Sequence, residues 1–484
     1  MSINQDIVKY LSKQKSLAKD RAMAYVQDVS GSVYPRRDLY QKIKHHIEKF
    51  LAKTSETRWL IMPGLRGIGK TTLMAQLYLD LLQEQYQNSE LNLYFVSLDE
   101  LSSLYGSNLV ELLAALEYLE GEHFERMTKH IILFLDEVQY DEKWALAVKT
   151  LYDKTKNIFI LCSGSSAIAL QSNADVARRA VFEKLTPLSF IEYQAITNTE
   201  FKTTKAQAIQ KKLREIIFFS CSADEVYKQI KTIEKEINPF IYAVDEIVFE
   251  DYLSIGTLAF ALKQDSKTQT YDAINKVIDR IIDKDISKLA NFDLKTSSKI
   301  KRLLFILSDI DTISITKLSE VLDIDRLVVN NILEALEQSE LLIKVPAYGA
   351  NLKAVKKPSK YLFMSSALRM AFYAVGGNEQ VYLSKQGRLL EDLFASYFYQ
   401  NFLLNGSASL NYDASEGSAD FILQIANRER IAVELGQGVK DSSQLIKTMK
   451  KIKCSYGILL SSSKLFYDEE HNIIRLPKEY LLFS

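Results

Sequence analysis

Gly64, Gly69, Lys70 and Thr71 fall within the run MPGLRGIGKTTLM at 62–74 and satisfy the pattern G-x-x-x-x-G-K-[ST]. Glycines at that spacing let a loop turn its backbone N–H groups toward one anion. A helix beginning at the lysine adds its own unpaired donors and its dipole. Gly64, Gly67, Gly69, Lys70, Thr71 and Thr72 are therefore candidate phosphate-binding residues. Lys70 would reach the outer phosphates, and the Thr71 hydroxyl would ligate Mg²⁺.

The flanks supply what such a loop needs. RWLIMP at 58–63 is a short apolar run entering it, and TTLMAQLYLDLLQEQY leaves it with Leu73, Leu77, Leu81 and Leu82 on one helical face. Further on, HIILFLDEVQ at 130–139 reads as a buried parallel strand that ends in Asp136 and Glu137. Ligands of an open α/β sheet sit at the carboxyl ends of its strands, where that acidic pair would emerge. Asp136 would complete the metal shell, and Glu137 would orient or deprotonate an attacking water. NIFILCSGSS at 157–166 is another strand, whose Ser163 is placed to touch the γ-phosphate or the water, with a plain loop serine as the alternative. LNLYFVSLDE at 91–100 adds one more. Strands alternating with helices indicate a parallel sheet with right-handed crossovers.

Composition narrows the rest. The 484 residues suffice for several domains, and 61 Lys+Arg against 61 Asp+Glu leave no global field toward nucleic acid or an acidic membrane. Cys162, Cys221 and Cys454 match no zinc spacing, and the five histidines show no ligand spacing. Free thiols fit a reducing cytoplasm. The first residues hold no secretory apolar core and no run approaches the length of a membrane span, so the expectation is a cytoplasmic chain without membrane contact.

GLRGIGKTTL, FLDEVQYDEKW, CSGSSAIAL and ARRAVFEKLTPLSFIEY together resemble the AAA+-type prokaryotic P-loop ATPases often called archaeal ATPases. The resemblance runs from about residue 35 to the end and is densest over 60–195. It implies ATP and Mg²⁺, and an α/β fold in five parts: an N-terminal helical segment (1–50), a parallel-sheet P-loop ATPase core (51–200), a helical lid (201–297), a winged helix (298–365) and a C-terminal restriction-endonuclease-like α/β domain (366–484). Where the family has a Gly-Arg pair, this chain has Arg178 and Arg179, so either would serve as an arginine finger or sensor, in cis or on a neighbour's ATP in a homo-oligomer. Two exposed loop arginines are the alternative. The family's Gly-Gly-x-Pro turn near 249–262 is represented only by Gly256.

Residues 298–363 read as three helices and two wing strands. The third helix offers Arg326, Asn330 and Asn331 but also Asp323, Asp325, Glu334 and Glu337, which would repel phosphates. Lys353, Lys356, Lys357 and Lys360 make the wing loop basic, so it either contacts DNA or belongs to an architectural module.

In the last third, Glu391 on a helix, Asp420 entering a strand and Glu434 on the next strand follow the order of the PD-(D/E)XK nucleases. That chemistry pairs metal-holding carboxylates with a lysine two residues after the second acid, and here that position is Gly436. Gln437 or Lys440 are the substitutes at hand, but an extended chain would carry Lys440 about 20 Å from Glu434, so only a reversal at Gly436–Gly438 would bring it back. The module therefore reads as degenerate. Lys447, Lys450, Lys451 and Lys453 form a phosphate-facing patch or a solvated face. Three functions compete: an ATP-driven switch whose C-terminal modules bind DNA or a protein partner, an ATP-regulated nuclease, and a nucleotide-gated scaffold with little turnover.

Overall fold

The computed structural model describes residues 4–85, 90–164, 176, 178–286, 294–349, 357–374, 379–406, 408–462 and 464–484. They divide into two compact units, 1–186 and 187–484.

The first unit is built on β1 (Trp59–Pro63), β2 (Leu91–Ser97), β3 (His130–Asp136), β4 (Ile158–Gly164) and β5 (Val181–Phe182). They form one parallel sheet in the order β2-β3-β4-β1-β5. Helices cover both faces of such a sheet, which is why β3 is apolar without alternation, with Ile131 to Leu135 all inaccessible to solvent. Full burial of a side chain such as Leu133 or Phe134 stabilises the fold by about 1.5–3 kcal/mol. β1 lies inside the sheet, so the loop after Pro63 rises between the ends of β4 and β5 and passes into the helix Lys70–Gln85. β2 stops at Ser97, short of the apolar run's end, because the Ser97 hydroxyl accepts a bond from Glu100 N at 3.4 Å and caps the helix Leu98–Tyr105.

The second unit begins with helices Phe190–Thr197, Thr203–Phe219 and Ala223–Ile241. Farther on come Leu294–Asp309, Ile315–Leu322 and Arg326–Gln338, followed by an antiparallel ribbon of β6 (Leu342–Val345) and β7 (Lys360–Phe363). The expected wing lysines Lys353 and Lys356 lie outside the described residues. The helix Glu379–Phe398 then leads into a six-stranded mixed sheet. Its strands are β8 (Ala408–Asn411), β9 (Phe421–Ile425), β10 (Ile431–Leu435), β11 (Tyr456–Ser461), β12 (Phe466–Asp468) and β13 (Ile473–Pro477), in the order β12-β13-β11-β10-β9-β8.

A buried ion pair ties this unit together. Arg369, fully buried, donates from Nη2 to Asp392 Oδ1 at 2.8 Å and from Nη1 to Ser308 O at 2.8 Å and Asp311 Oδ1 at 2.9 Å. Burial pushes the Asp392 carboxyl up to about 6 even against Arg369. Removing one member of such a pair strands the other charge in the interior. Asp392→Ala is expected to cost about 3–5 kcal/mol, read as a lowered urea midpoint. An unchanged midpoint would mean that the pair holds nothing.

Candidate functional site

The phosphate loop owes its shape to its glycines. Gly67 (φ 79°) and Gly69 (φ 102°) adopt left-handed conformations that a side chain resists. Gly64 is set by proximity, since a Cβ there would meet Leu185 O at 2.3 Å. Lys70, almost fully buried, donates from Nζ to the carbonyls of Gly64 and Leu65, each at 2.8 Å. Its ammonium thus lies folded over the loop rather than extended into solvent.

Across the loop, Thr71 Oγ1 donates to Asp136 Oδ2 at 2.8 Å. The inaccessible Ser163 hydroxyl donates to Asp136 Oδ1 and accepts from Glu137 N at 3.2 Å. Ser163 therefore holds the acidic pair in place. Neighbouring strands explain the convergence, because Asp136 and Ser163 end β3 and β4 at the sheet's carboxyl edge. Glu137 is held in a left-handed turn (φ 55°), with Arg66 Nη1 3.8 Å from Oε2 and Gln139 Nε2 donating to the same oxygen. Burial raises the Glu137 pKa, opposed by Lys70 and reinforced by Asp136. This donor set fits Mg²⁺ with a nucleotide: a hydroxyl and a carboxylate stand together beside a lysine and a ring of loop amides.

Arg178 and Arg179 stand apart from this group within the chain. The pairing of Leu60 with Val181 sets them level with the start of β1, at the amino ends of the strands, whereas the phosphate loop leaves the carboxyl end. Arg179 Nε donates to Asp153 Oδ1 at 3.1 Å, and Arg178 is exposed.

In the second unit Glu391, Asp420 and Glu434 do approach one another, and the reversal that Lys440 needs in order to return is present. β10 ends at Leu435, and the chain reverses through Gly436 to Gly438. Lys440 Nζ returns to donate to Leu435 O at 2.8 Å and to pair with Glu434, whose carboxylate is inaccessible to solvent. Gly436 makes the room: a Cβ there would lie 2.9 Å from Lys440 Cδ and 3.2 Å from its Cβ. The position that lacks a lysine is thus filled by the stem of another. Asp420 Oδ2 accepts from Leu435 N at 2.8 Å, and Glu434 Oε2 from Asp420 N at 3.2 Å. Burial raises Glu434 and Asp420, with Glu434 raising Asp420 further.

Gly436→Ala and Lys440→Met should each lower stability by about 1 kcal/mol by parting Lys440 from Glu434. A double variant no worse than either single one would confirm the shared cause in urea unfolding, and additive losses would refute it.

Lys360 was expected on an exposed basic wing but is buried and ion-paired with Glu391. In the lysine patch, Lys451 is committed to Asp413 at 2.7 Å and Lys447 donates to Glu416 O, leaving Lys450 and Lys453 exposed. The three carboxylates are interleaved with Lys360 and Lys440, and among the described residues no three His, Cys, Asp or Glu side chains converge to hold a metal ion. As arranged, this site does not fit one. Among the described residues no helix is long and apolar enough to cross a membrane.

A family model described as an AAA domain matches residues 56–194, and a domain of unknown function, DUF8612, matches 247–379. The uncharacterized protein MJ1637 of Methanocaldococcus jannaschii is 34% identical over 454 residues, spanning 92% of this chain and 88% of that protein. Among solved structures, the Walker-type ATPase PABY2304 of Pyrococcus abyssi aligns at 13% identity and a TM-score of 0.38, over 70% of this chain and 96% of that one. The Aeropyrum pernix ORC1 protein, solved in complex with DNA, aligns at 11% and 0.33, over 75% and 98%. The chain belongs to the family of MJ1637 and carries an AAA-type P-loop ATPase domain.

Proposed function

We propose that the protein is a Mg²⁺-dependent, ATP-hydrolysing molecular switch whose nucleotide state governs its C-terminal modules, a winged helix and a nuclease-like sheet domain that bind nucleic acid or a protein partner. The observation that carries the reading is the linked set Thr71–Asp136–Ser163–Glu137 at the mouth of the phosphate loop. Lys70 exchanges the Gly64 and Leu65 carbonyls for phosphate oxygens, which are stronger acceptors for an ammonium. Thr71 and Asp136 hold Mg²⁺, which supplies charge neutralisation at the phosphates. Glu137 accepts the proton of the attacking water, and Ser163 fixes where that carboxylate stands. Arg178 or Arg179 would act only on a neighbouring copy's nucleotide, so light scattering with and without ATP accompanies the test of the switch. That test is steady-state phosphate release with and without duplex DNA. Turnover that responds to DNA supports nucleic-acid coupling, an unresponsive rate favours a protein partner, and absent turnover with retained binding leaves a nucleotide-gated scaffold.

The return of Lys440 to Glu434 favours a second reading, an ATP-regulated nuclease. Plasmid incubated with the protein and Mg²⁺ or Mn²⁺ tests it: nicking that disappears in Glu434→Ala supports cleavage, and intact plasmid in every lane refutes it.

A further inference from the structure

Arg66 is the second cation of the phosphate loop, beside Lys70, and the loop fixes where it stands. Leu65 before it is buried, Gly67 after it is left-handed at φ 79°, and Ile68 is fully inaccessible to solvent. Past Gly67, Arg37 Nη1 donates to Ile68 O at 2.7 Å and its Nη2 to Thr186 O at 2.8 Å, which ties the loop to the chain that follows β5. The loop is thus pinned on both sides of Arg66, whose side chain is only 13% accessible and lies toward Glu137.

The contact with Glu137 is an attraction rather than a bond. Nη1 is 3.8 Å from Oε2, about 1 Å longer than a charge-assisted hydrogen bond, and Oε2 takes its hydrogen bond from Gln139 Nε2 instead. A partly accessible pair at that separation adds at most about 1 kcal/mol to stability. Its position matters more than that. Glu137 takes the proton of the attacking water, and that water must stand in line with the terminal phosphorus. A guanidinium beside that carboxylate, carried on the loop that wraps the phosphates, is within reach of the terminal phosphoryl oxygens. Those oxygens suit a planar fork of donors better than a carboxylate already bonded to Gln139. ADP has no such group to offer.

We infer that Arg66 reads the terminal phosphate of the nucleotide on its own chain: its guanidinium moves from Glu137 to the γ-phosphoryl oxygens of ATP and stays with Glu137 when ADP is bound. Glu137 is then released to the water only when there is a phosphoryl group to transfer. The same move places positive charge where the transition state gathers negative charge. Arg178 and Arg179, level with the amino ends of the strands, leave that place to it. The inference rests on the ATPase reading for the choice of nucleotide.

The test is calorimetric binding of ADP and of the imido analogue of ATP to the full chain with Mg²⁺, together with steady-state turnover of ATP. Arg66→Gln is expected to bind the analogue about tenfold more weakly and ADP within about twofold of the wild type, as loss of one charge-assisted contact to the terminal phosphate requires. Its kcat should fall at least about a hundredfold, toward the effect of removing an arginine finger. Arg66→Lys should recover the affinity for the analogue but only part of kcat, because a point charge replaces the fork. A merely structural arginine would weaken both nucleotides alike. Equal losses for the analogue and ADP, or wild-type turnover in Arg66→Gln, would overturn the inference.

Should Arg66→Gln fail to fold, Arg66→Lys decides by turnover, and a wild-type kcat there would overturn the inference. The two readings fail separately. A wild type that binds both nucleotides without turnover sinks the ATPase reading, and the affinity ratio in Arg66→Gln still decides this one. Turnover by the wild type with an unchanged ratio and kcat in Arg66→Gln sinks this one alone, and a wild type that binds neither nucleotide sinks both.

Discussion

Glu137→Gln is expected to bind ATP nearly as well as the wild type and to hydrolyse it about 10²–10⁴-fold more slowly, the usual loss when a general base is removed. The amide keeps the size of the side chain and its contact with Gln139 but can take no proton. The left-handed turn at 137 and the bond from Glu137 N to Ser163 are backbone features, so the site should keep its shape. The pH profile gives an independent check. Burial raises the Glu137 pKa, so the ionised, proton-accepting form is lost as pH falls through a value above that of an ordinary glutamate. Wild-type turnover should therefore fall on the acid side earlier than a free carboxylate would dictate, and Glu137→Gln should lack that limb. A Gln variant with wild-type turnover would remove Glu137 from the chemistry.

Lys70→Ala is expected to weaken ATP binding by about 10–100-fold, the worth of one charge-assisted contact or two in a buried site. The same ammonium also bonds the Gly64 and Leu65 carbonyls, so its loss loosens the loop as well as the ligand. The two effects part in a melting experiment. Without nucleotide the variant should melt close to the wild type, because loop carbonyls can turn to water. With ATP and Mg²⁺ the wild type should gain stability by mass action and the variant should gain little. An equal gain in both would show that Lys70 does not hold the phosphates.

The nucleotide site was legible because its parts are local. A glycine loop after an apolar strand and an acidic pair after another each announce themselves within a dozen residues, and sheet topology brings them together. β5 was not legible, since two residues give no periodicity to read. That gap left the place of Arg178 and Arg179 open, since it depends on where β5 pairs. The return of Lys440 was legible only as a condition: the glycines at 436 and 438 permit a reversal without requiring one, and only the close approach of Lys440 to Gly436 shows that the chain makes it. Lys360 carried no signal at all. Its partner Glu391 is remote in sequence, and a lysine next to other lysines reads as solvated surface until the fold buries it.

The central claim is that the loop at 64–71 and the pair Asp136–Glu137 form a working ATPase. Its most direct test is phosphate release from ATP by the purified full chain with Mg²⁺, beside Glu137→Gln under the same conditions. The account predicts steady turnover by the wild type, abolished by chelating the metal and reduced at least about a hundredfold in the variant. Equal release by the two proteins, or turnover indifferent to Mg²⁺, would contradict it.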